Sequence, residues 1–103
     1  YMEGIWKNNN DGMKLVSDSG KIVLNFNAKQ VNIVASENAI LYIKYDGKNI
    51  PKEVAGKDIS SDGTVEISEP RLYNLINSPE EGPHEIIIEV KSPGFEIFTF
   101  TFG

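Results

Sequence analysis

The chain has 103 residues, of which 40% are hydrophobic and 24% charged, and it contains no cysteine. A chain of this length forms one domain that buries a core without covalent staples, and the lack of cysteine excludes a disulfide framework, a thiol nucleophile and a thiolate metal site. Its formal net charge of −5 argues against nucleic acid as a partner, because an acidic surface repels phosphate backbones. No apolar run reaches the roughly 18 residues that span a bilayer, so we expect no direct membrane insertion.

Alternation of apolar and polar residues dominates the chain. This period of two places successive side chains on opposite faces of a strand. In chain order it predicts strands over 21–26, 31–33, 40–45, 64–67, 85–90 and 97–102. Turn residues separate the strands at 9–12, 19–20, 46–47, 62–63, 78–83 and 92–94. Only segment 70–76 suits a helical turn, since Pro70 fits the first position of a helix.

Short strands with regular turn signals are typical of a β-sandwich or barrel. Segments 22–24 and 86–88 are apolar on both faces, which favours two stacked sheets. The last strand carries Phe98, Phe100 and Phe102 on one face, and burial of each ring is worth about 2–3 kcal/mol. We therefore predict an all-β fold, an antiparallel two-sheet β-sandwich of about eight strands with at most one short helical turn near 70–76, sealed by its C-terminal strand.

Residues 58–69, DISSDGTVEISE, have the carboxylate spacing of a calcium-binding helix–loop–helix. That site requires flanking helices, whereas Pro70 pushes Glu69 away from helical backbone angles. Asp62-Gly63 is a strong signal for a tight turn, and alternation continues beyond it. The sequence favours a hairpin over a metal site here, with structural calcium in an acidic loop as the alternative.

Other candidates for catalysis are sparse. His84 is the only histidine, and its one neighbouring carboxylate, on Glu85, points to the opposite face of the predicted strand. The serines of segments 17–19 and 60–61 lack a nucleophile-elbow setting, and no glycine-rich phosphate loop is present. We predict no catalytic residues, no cofactor and no enzyme activity.

Several motifs taken in order resemble a known family. They are Tyr1-x-x-Gly4-x-Trp6, the run GKIVLNFNAKQVNIV from Gly20, a strand ending in Asp46-Gly47, Gly56-Lys57-Asp58-Ile59, the segment RLYNLI from Arg71, and the ending FTFG. Together they resemble the C-terminal β-sandwich domain of DipZ-type thioredoxin-like proteins, over essentially the whole chain. The RLYNLI segment and the FTFG ending are its most specific parts.

The resemblance implies a jelly-roll sandwich similar to carbohydrate-binding modules. It implies that residues 1–103 are a single domain excised from the C-terminus of a larger protein, with a thioredoxin-like domain upstream, and that the parent lies outside the cytoplasm in the periplasm or at the cell surface. Redox chemistry would belong to a Cys-x-x-Cys motif in that upstream domain.

The leading functional hypothesis is a non-catalytic accessory domain that binds a glycan or another cell-envelope polymer. Aromatic rings outside the core pattern, with amide and carboxylate neighbours, are the residue types that bind sugars. The predicted ligand residues are Trp6, Asn32, Tyr42, Tyr45, Asp46 and Asn49. The alternative is a docking domain that packs on the thioredoxin domain or on another partner, and a hydrolase is the weakest of the three.

Overall fold

The structure, a computed structural model, describes residues 1–103, and all of its regular elements are β-strands. In chain order they are β1 (Met2–Glu3), β2 (Trp6–Asn8), β3 (Met13–Leu15), β4 (Gly20–Asn27), β5 (Gln30–Ser36), β6 (Ala39–Tyr45), β7 (Thr64–Ile67), β8 (Arg71–Asn77), β9 (Pro83–Val90) and β10 (Glu96–Phe102). The all-β prediction is confirmed. The count is ten rather than about eight, because β1 and β2 are too short to show alternation. No helix that would be long and apolar enough to cross a membrane is found.

The strands form two five-stranded antiparallel sheets. Sheet A has the order β1-β4-β9-β6-β7, and sheet B has the order β2-β3-β10-β5-β8. From β3 onward the chain changes sheets at every connection except the one from β6 to β7. Early and late strands therefore alternate within each sheet, which is the double Greek-key arrangement of a jelly roll. The predicted two-sheet jelly roll is confirmed.

A cluster of 21 buried residues fills the space between the sheets. Strand β6 shows how the sequence builds it: Leu41 and Ile43 are buried, whereas Ile40, Tyr42 and Lys44 between and beside them are exposed. Burial of each aliphatic side chain is worth about 1.5–3 kcal/mol. The inward set therefore stabilises the fold and leaves the outward set available for contacts with other molecules.

The long connection 46–63 covers the free edge of β8. The backbone N–H groups of Gly56 and Asp58 donate to the carbonyl oxygens of Leu75 and Asn74 at 2.9 and 3.3 Å. A Cβ atom at Gly56 would lie 2.4 Å from the Asn74 carbonyl oxygen, so only glycine allows this approach. The contact protects an edge that would otherwise present unpaired backbone groups.

The helical turn predicted within 70–76 is wrong, because Arg71–Asn77 is strand β8 and pairs with β5. Tyr73, Leu75 and Ile76 are all buried. One short turn of helix is unstable in isolation, and a strand at this place buries more apolar surface. Tertiary packing therefore overrides the helix-start signal of Pro70.

Strand β10 lies between β3 and β5 at the centre of sheet B, as the prediction of a core strand requires. Its three phenylalanines nevertheless do not face the core together. The register with β5 shifts between Ile97 and Thr99, so that Ile97 is buried, Phe100 packs on the core from a half-buried position, and Phe102 is 51% exposed. A bulge changes the phase of alternation, which the sequence pattern does not reveal.

Candidate functional site

The six predicted ligand residues do not form one site. They divide into two residues at the outer face of sheet A (Tyr42 and Asn49), two at the turn that ends β6 (Tyr45 and Asp46) and two elsewhere (Trp6 on β2 and Asn32 on β5).

An exposed aromatic ring lies in a row of polar side chains on sheet A. The ring of Tyr42 points outward and is 41% exposed. The strand register places Thr64 on one side of it and Glu89 on the other, and continues through Lys21 to Glu3. We call these five residues the Tyr42 row. It crosses all five strands of the sheet and is about 19 Å long at about 4.8 Å per strand spacing.

Charged groups of both signs surround the ring. The Lys91 ammonium lies 5.5 Å from the Tyr42 ring centroid, within the range of a cation–π contact. Lys44, two residues along β6 on the same face, donates to Asn49 Oδ1 at 2.8 Å. The row therefore combines a ring that packs against apolar C–H groups with side chains that donate and accept hydrogen bonds.

An apolar strip runs beside the Tyr42 row on the same face. Lys44 is opposite Ile87 on β9, which in turn is opposite Val23 on β4. The backbone of Tyr1 extends this strip, since the N–H of Val23 donates to the Tyr1 carbonyl at 2.8 Å. Although Val23 faces outward, it is only 8% exposed because neighbouring side chains cover it.

A hollow lies at each end of the Tyr42 row. Next to Thr64, the connection 46–63 encloses a groove of about 530 Å³ whose lining includes Gly63. At the other end a shallower hollow of about 240 Å³ is lined by Glu3, Lys21 and Glu89 of the row itself. The lining of the larger groove combines three hydrophobic residues, Ile50, Ala55 and Ile59, with the polar residues Asn49, Lys52, Ser60, Ser61 and Asp62. The smaller hollow therefore lies along the Glu89–Glu3 half of the row, and the larger groove begins beside Thr64 at Gly63.

The turn after β6 holds a second cluster. Asp46 and Gly47 have φ angles of +51° and +79°, and Tyr45 exchanges two backbone hydrogen bonds with Lys48 across them, at 2.8 and 3.0 Å. This is a two-residue turn of the primed type that Asp-Gly favours. It brings the Asp46 carboxylate against the start of β9.

The Asp46 carboxylate clamps this turn to β9. Its Oδ2 lies 2.7 Å from His84 Nδ1, and its Oδ1 accepts the backbone N–H of Glu85 at 2.8 Å. The ring of Tyr45 stacks on the imidazole at 4.8 Å between centroids. The Glu85 N–H, followed by the His84 contact, holds the pKa of Asp46 below its ordinary value, and burial, with the Asp46 charge, raises the pKa of Tyr45.

His84 therefore has a carboxylate partner that its local sequence does not show. Asp46 supplies one from 38 residues away, and only the pairing of β6 with β9 brings the two together. No serine or threonine hydroxyl bonds to the imidazole, whose Nε2 lies beside the backbone of Gly82. The arrangement lacks the hydroxyl that a nucleophilic triad requires and acts as a structural clamp.

The two remaining predicted ligand residues lie away from the Tyr42 row. Trp6 Nε1 donates to the Glu3 carbonyl at 2.9 Å, and its ring meets Phe95 edge-on at 6.4 Å. Asn32 Oδ1 accepts from Asn74 Nδ2 at 2.8 Å. Both side chains already use polar atoms in contacts within the domain.

Asp58 and Asp62 of segment 58–69 accept hydrogen bonds from other groups of the domain. Asp58 accepts from Arg71 at 3.0 Å and from the Asn74 N–H at 2.7 Å. Burial raises the pKa of Asp58, but these two contacts outweigh it and the pKa is lowered overall. Asp62 Oδ1 accepts both the N–H and the hydroxyl of Thr64. The predicted turn at 62–63 is present, but the tight hairpin is wrong, because β7 pairs with β6 across the long connection 46–63 and no strand ends directly before the turn.

Fold and surface together define a jelly-roll β-sandwich domain with an exposed aromatic and polar row on one sheet. All 103 residues match the family described as the thioredoxin-like C-terminal domain. The chain belongs to that family, and the resemblance drawn from the sequence is confirmed.

Two solved structures share the fold over the whole chain. One is a family two carbohydrate esterase from Clostridium thermocellum in complex with cellohexaose, with a TM-score of 0.75 and 14% identity, of which this chain covers 31%. The other is an active-site mutant of a family two carbohydrate esterase from the same organism, with a TM-score of 0.76 and 14% identity, of which it covers 30%. At this level of identity the likeness is one of fold alone.

Among curated proteins, 77 residues are 34% identical to the DNA-directed RNA polymerase subunit alpha of Syntrophomonas wolfei, over 75% of this chain and 23% of that subunit. The chain thus spans less than a third of the length of each of these three proteins. The activity of the whole proteins does not extend to this domain by likeness.

Proposed function

We propose that this domain is a non-catalytic accessory module that binds a glycan through the Tyr42 row. By doing so it positions a neighbouring thioredoxin-like domain on a cell-envelope polymer outside the cytoplasm. Membership of the thioredoxin-like C-terminal family supports the accessory role. A fold shared with an esterase that was solved with cellohexaose supports a saccharide as the ligand class.

The observation that carries the proposal is the exposed ring of Tyr42 among hydrogen-bonding side chains on a rigid sheet. A pyranose ring has apolar C–H faces and a polar rim of hydroxyls. The aromatic ring packs on such a face, while Thr64 and Glu89 on either side supply hydrogen-bonding groups for hydroxyls. Because strands β6, β7 and β9 hold these residues in place, binding costs little conformational ordering.

Titration of the ¹⁵N-labelled domain with cellohexaose and a panel of neutral oligosaccharides tests the proposal. We expect amide shifts centred on residues 42, 64 and 89. Tyr42→Ala should weaken binding about tenfold or more, equivalent to about 1.4 kcal/mol. Tyr42→Phe keeps the ring and should bind within about threefold of the original domain, a difference of less than 1 kcal/mol.

Ile40→Ala is the matched control for this experiment. Ile40 lies on the same strand and face as Tyr42 and is also exposed, but it is not part of the Tyr42 row. Its removal should leave the affinity unchanged. Absence of any shift across the panel, or undiminished binding by Tyr42→Ala, would overturn the proposal.

A second candidate function is docking on the neighbouring domain. The observation that favours it is a group of exposed apolar side chains near the start of the chain, where Ile5 accepts a 2.8 Å backbone hydrogen bond from Val16. If this corner is covered in the parent protein, Ile5→Ser should increase proteolytic cleavage between the two domains. Leu72→Ser, at an exposed position on sheet B, is the control.

A further inference from the structure

We propose, on the basis of the function above, that the Tyr42 row binds the interior of an extended, uncharged glycan chain that runs across the strands. The site would therefore bind several sugar units in succession rather than one terminal unit. One exposed ring by itself does not determine the direction, the length or the charge of the ligand.

The direction follows from the strand register. Thr64, Tyr42, Glu89, Lys21 and Glu3 are direct cross-strand neighbours, so they form a line perpendicular to the strands. At about 4.8 Å per spacing the line is about 19 Å long. A single sugar unit is much shorter than this line, whereas an oligosaccharide laid along it contacts side chains from all five strands.

Concave surface at both ends favours a chain that continues past the row. The groove of about 530 Å³ begins at Gly63, next to Thr64, and the hollow of about 240 Å³ includes Lys21 and Glu3. A site for a chain end would be closed on one side, because it must surround the terminal unit. This row instead borders concave surface beside Thr64 and along its Lys21–Glu3 half.

The charge pattern favours an uncharged ligand. Glu89, Lys21 and Glu3 alternate in sign along the row, and Lys44 and Lys91 flank it. The site carries two carboxylates among three ammonium groups, so neither sign dominates it, and the net charge of −5 of the whole domain disfavours a polyanion. A polycation would be repelled by the three ammonium groups. Hydroxyls, in contrast, accept hydrogen bonds from the lysines and donate them to the glutamates.

The apolar strip gives the chain a second line of contact. Ile87 and Val23 lie two residues along their strands from Glu89 and Lys21, and therefore on the same face of the sheet. An extended saccharide presents C–H groups along one edge and hydroxyls along the other. The half-buried Ile87 offers such an apolar contact beside Glu89, whereas Val23 is only 8% exposed and contributes little to it.

Calorimetric titration of the domain with cellobiose and with cellohexaose tests this inference. We expect cellohexaose to bind at least tenfold more tightly, with NMR shifts that extend to residues 21 and 3 only for the longer sugar. Lys21→Ala should weaken binding of cellohexaose several-fold and leave cellobiose binding unchanged, whereas Thr64→Ala, directly beside Tyr42, should weaken binding of both sugars. Lys29→Ala removes an exposed lysine outside the row and should have no effect on either sugar.

Each outcome separates this inference from the function on which it rests. Equal affinity for the two sugars would overturn the extended site and leave a one-unit glycan site intact. Tighter binding of hexagalacturonate than of cellohexaose would overturn the uncharged ligand. Failure of Tyr42→Ala to weaken any of these interactions would overturn both proposals together.

Discussion

The buried hydroxyl of Tyr73 should be one of the main local contributors to stability. Tyr73 is 0% exposed, and its hydroxyl donates to the Glu69 carbonyl at 2.7 Å and accepts the N–H groups of Ser68 and Glu69, both at 3.2 Å. Tyr73→Phe removes all three bonds but keeps the ring under Arg71, whose guanidinium lies 3.9 Å from the centroid. The substitution therefore isolates the hydroxyl.

The expected loss of stability follows from the backbone groups that lose a hydrogen-bond partner when the Tyr73 hydroxyl is removed. A hydrogen bond contributes about 1 kcal/mol net, and a buried group left unpaired costs about 1–3 kcal/mol. Ser68 and Glu69 are themselves exposed, so water replaces part of the loss. We expect Tyr73→Phe to lower the free energy of unfolding by about 2–3 kcal/mol, which lowers Tm by about 10 °C or more for a domain of this size.

Urea denaturation followed by the fluorescence of Trp6, the only tryptophan, measures this change. The midpoint should fall while the slope m stays constant, because the surface exposed on unfolding is the same. Tyr42→Phe is the matched control: it removes an exposed hydroxyl and should change stability by less than about 0.5 kcal/mol. If Tyr73→Phe also left the free energy of unfolding unchanged, the hydroxyl contacts would contribute nothing to stability and the reasoning would be refuted.

Three further substitutions test the loops. Gly56→Ala places a Cβ atom 2.4 Å from a backbone oxygen of Asn74 and should cost about 2–4 kcal/mol by the shift it forces. Gly82→Ala places a Cβ atom near side-chain atoms only, 3.3 Å from His84 Nε2, and should cost less than about 1 kcal/mol. Thermal unfolding compares the two variants. Gly47→Ala should cost about 1 kcal/mol in the same assay, because its φ of +79° strains any side chain. Hydrogen bonds lower the folded-state pKa of Asp46, so its carboxylate stabilises the fold above its unfolded pKa of about 3.9 and loses this effect as pH falls through the folded value. Asp46→Asn should therefore flatten the loss of stability between about pH 5 and pH 2, and an unchanged acid profile would contradict that role.

Alternation predicts most of the sandwich because each main strand has one buried face. Leu41, Ile43 and Tyr45 fix the phase of β6, and that phase turns Tyr42 outward. Tyr42 and Tyr45 lie on opposite faces of β6, so only one of the two rings can point outward, and neither residue type by itself shows which. The apolar partners of Tyr45 on its own face decide which of the two is exposed.

The features that the sequence does not predict depend on contacts between distant segments. The Asp46–His84 pair joins residues 38 positions apart, and no local pattern marks it. The bulge in β10 shifts the register after Ile97 without any glycine or proline at that place. The contact of Asp58 depends on strand pairing in the same way, because Arg71 on the next strand lies 3.0 Å from its carboxylate.

The candidate site is itself a property of strand register. Its members come from five strands and are separated by 18 to 25 residues along the chain (3, 21, 42, 64 and 89). Because side chains alternate with a period of two, a slip of one residue in any strand would turn its member toward the core. Such a slip would also turn core residues such as Ile22, Ile88 or Val65 toward solvent. The burial that stabilises the sandwich therefore also aligns the Tyr42 row, so a substitution in the core that loosens the register should weaken glycan binding even where it contacts no ligand.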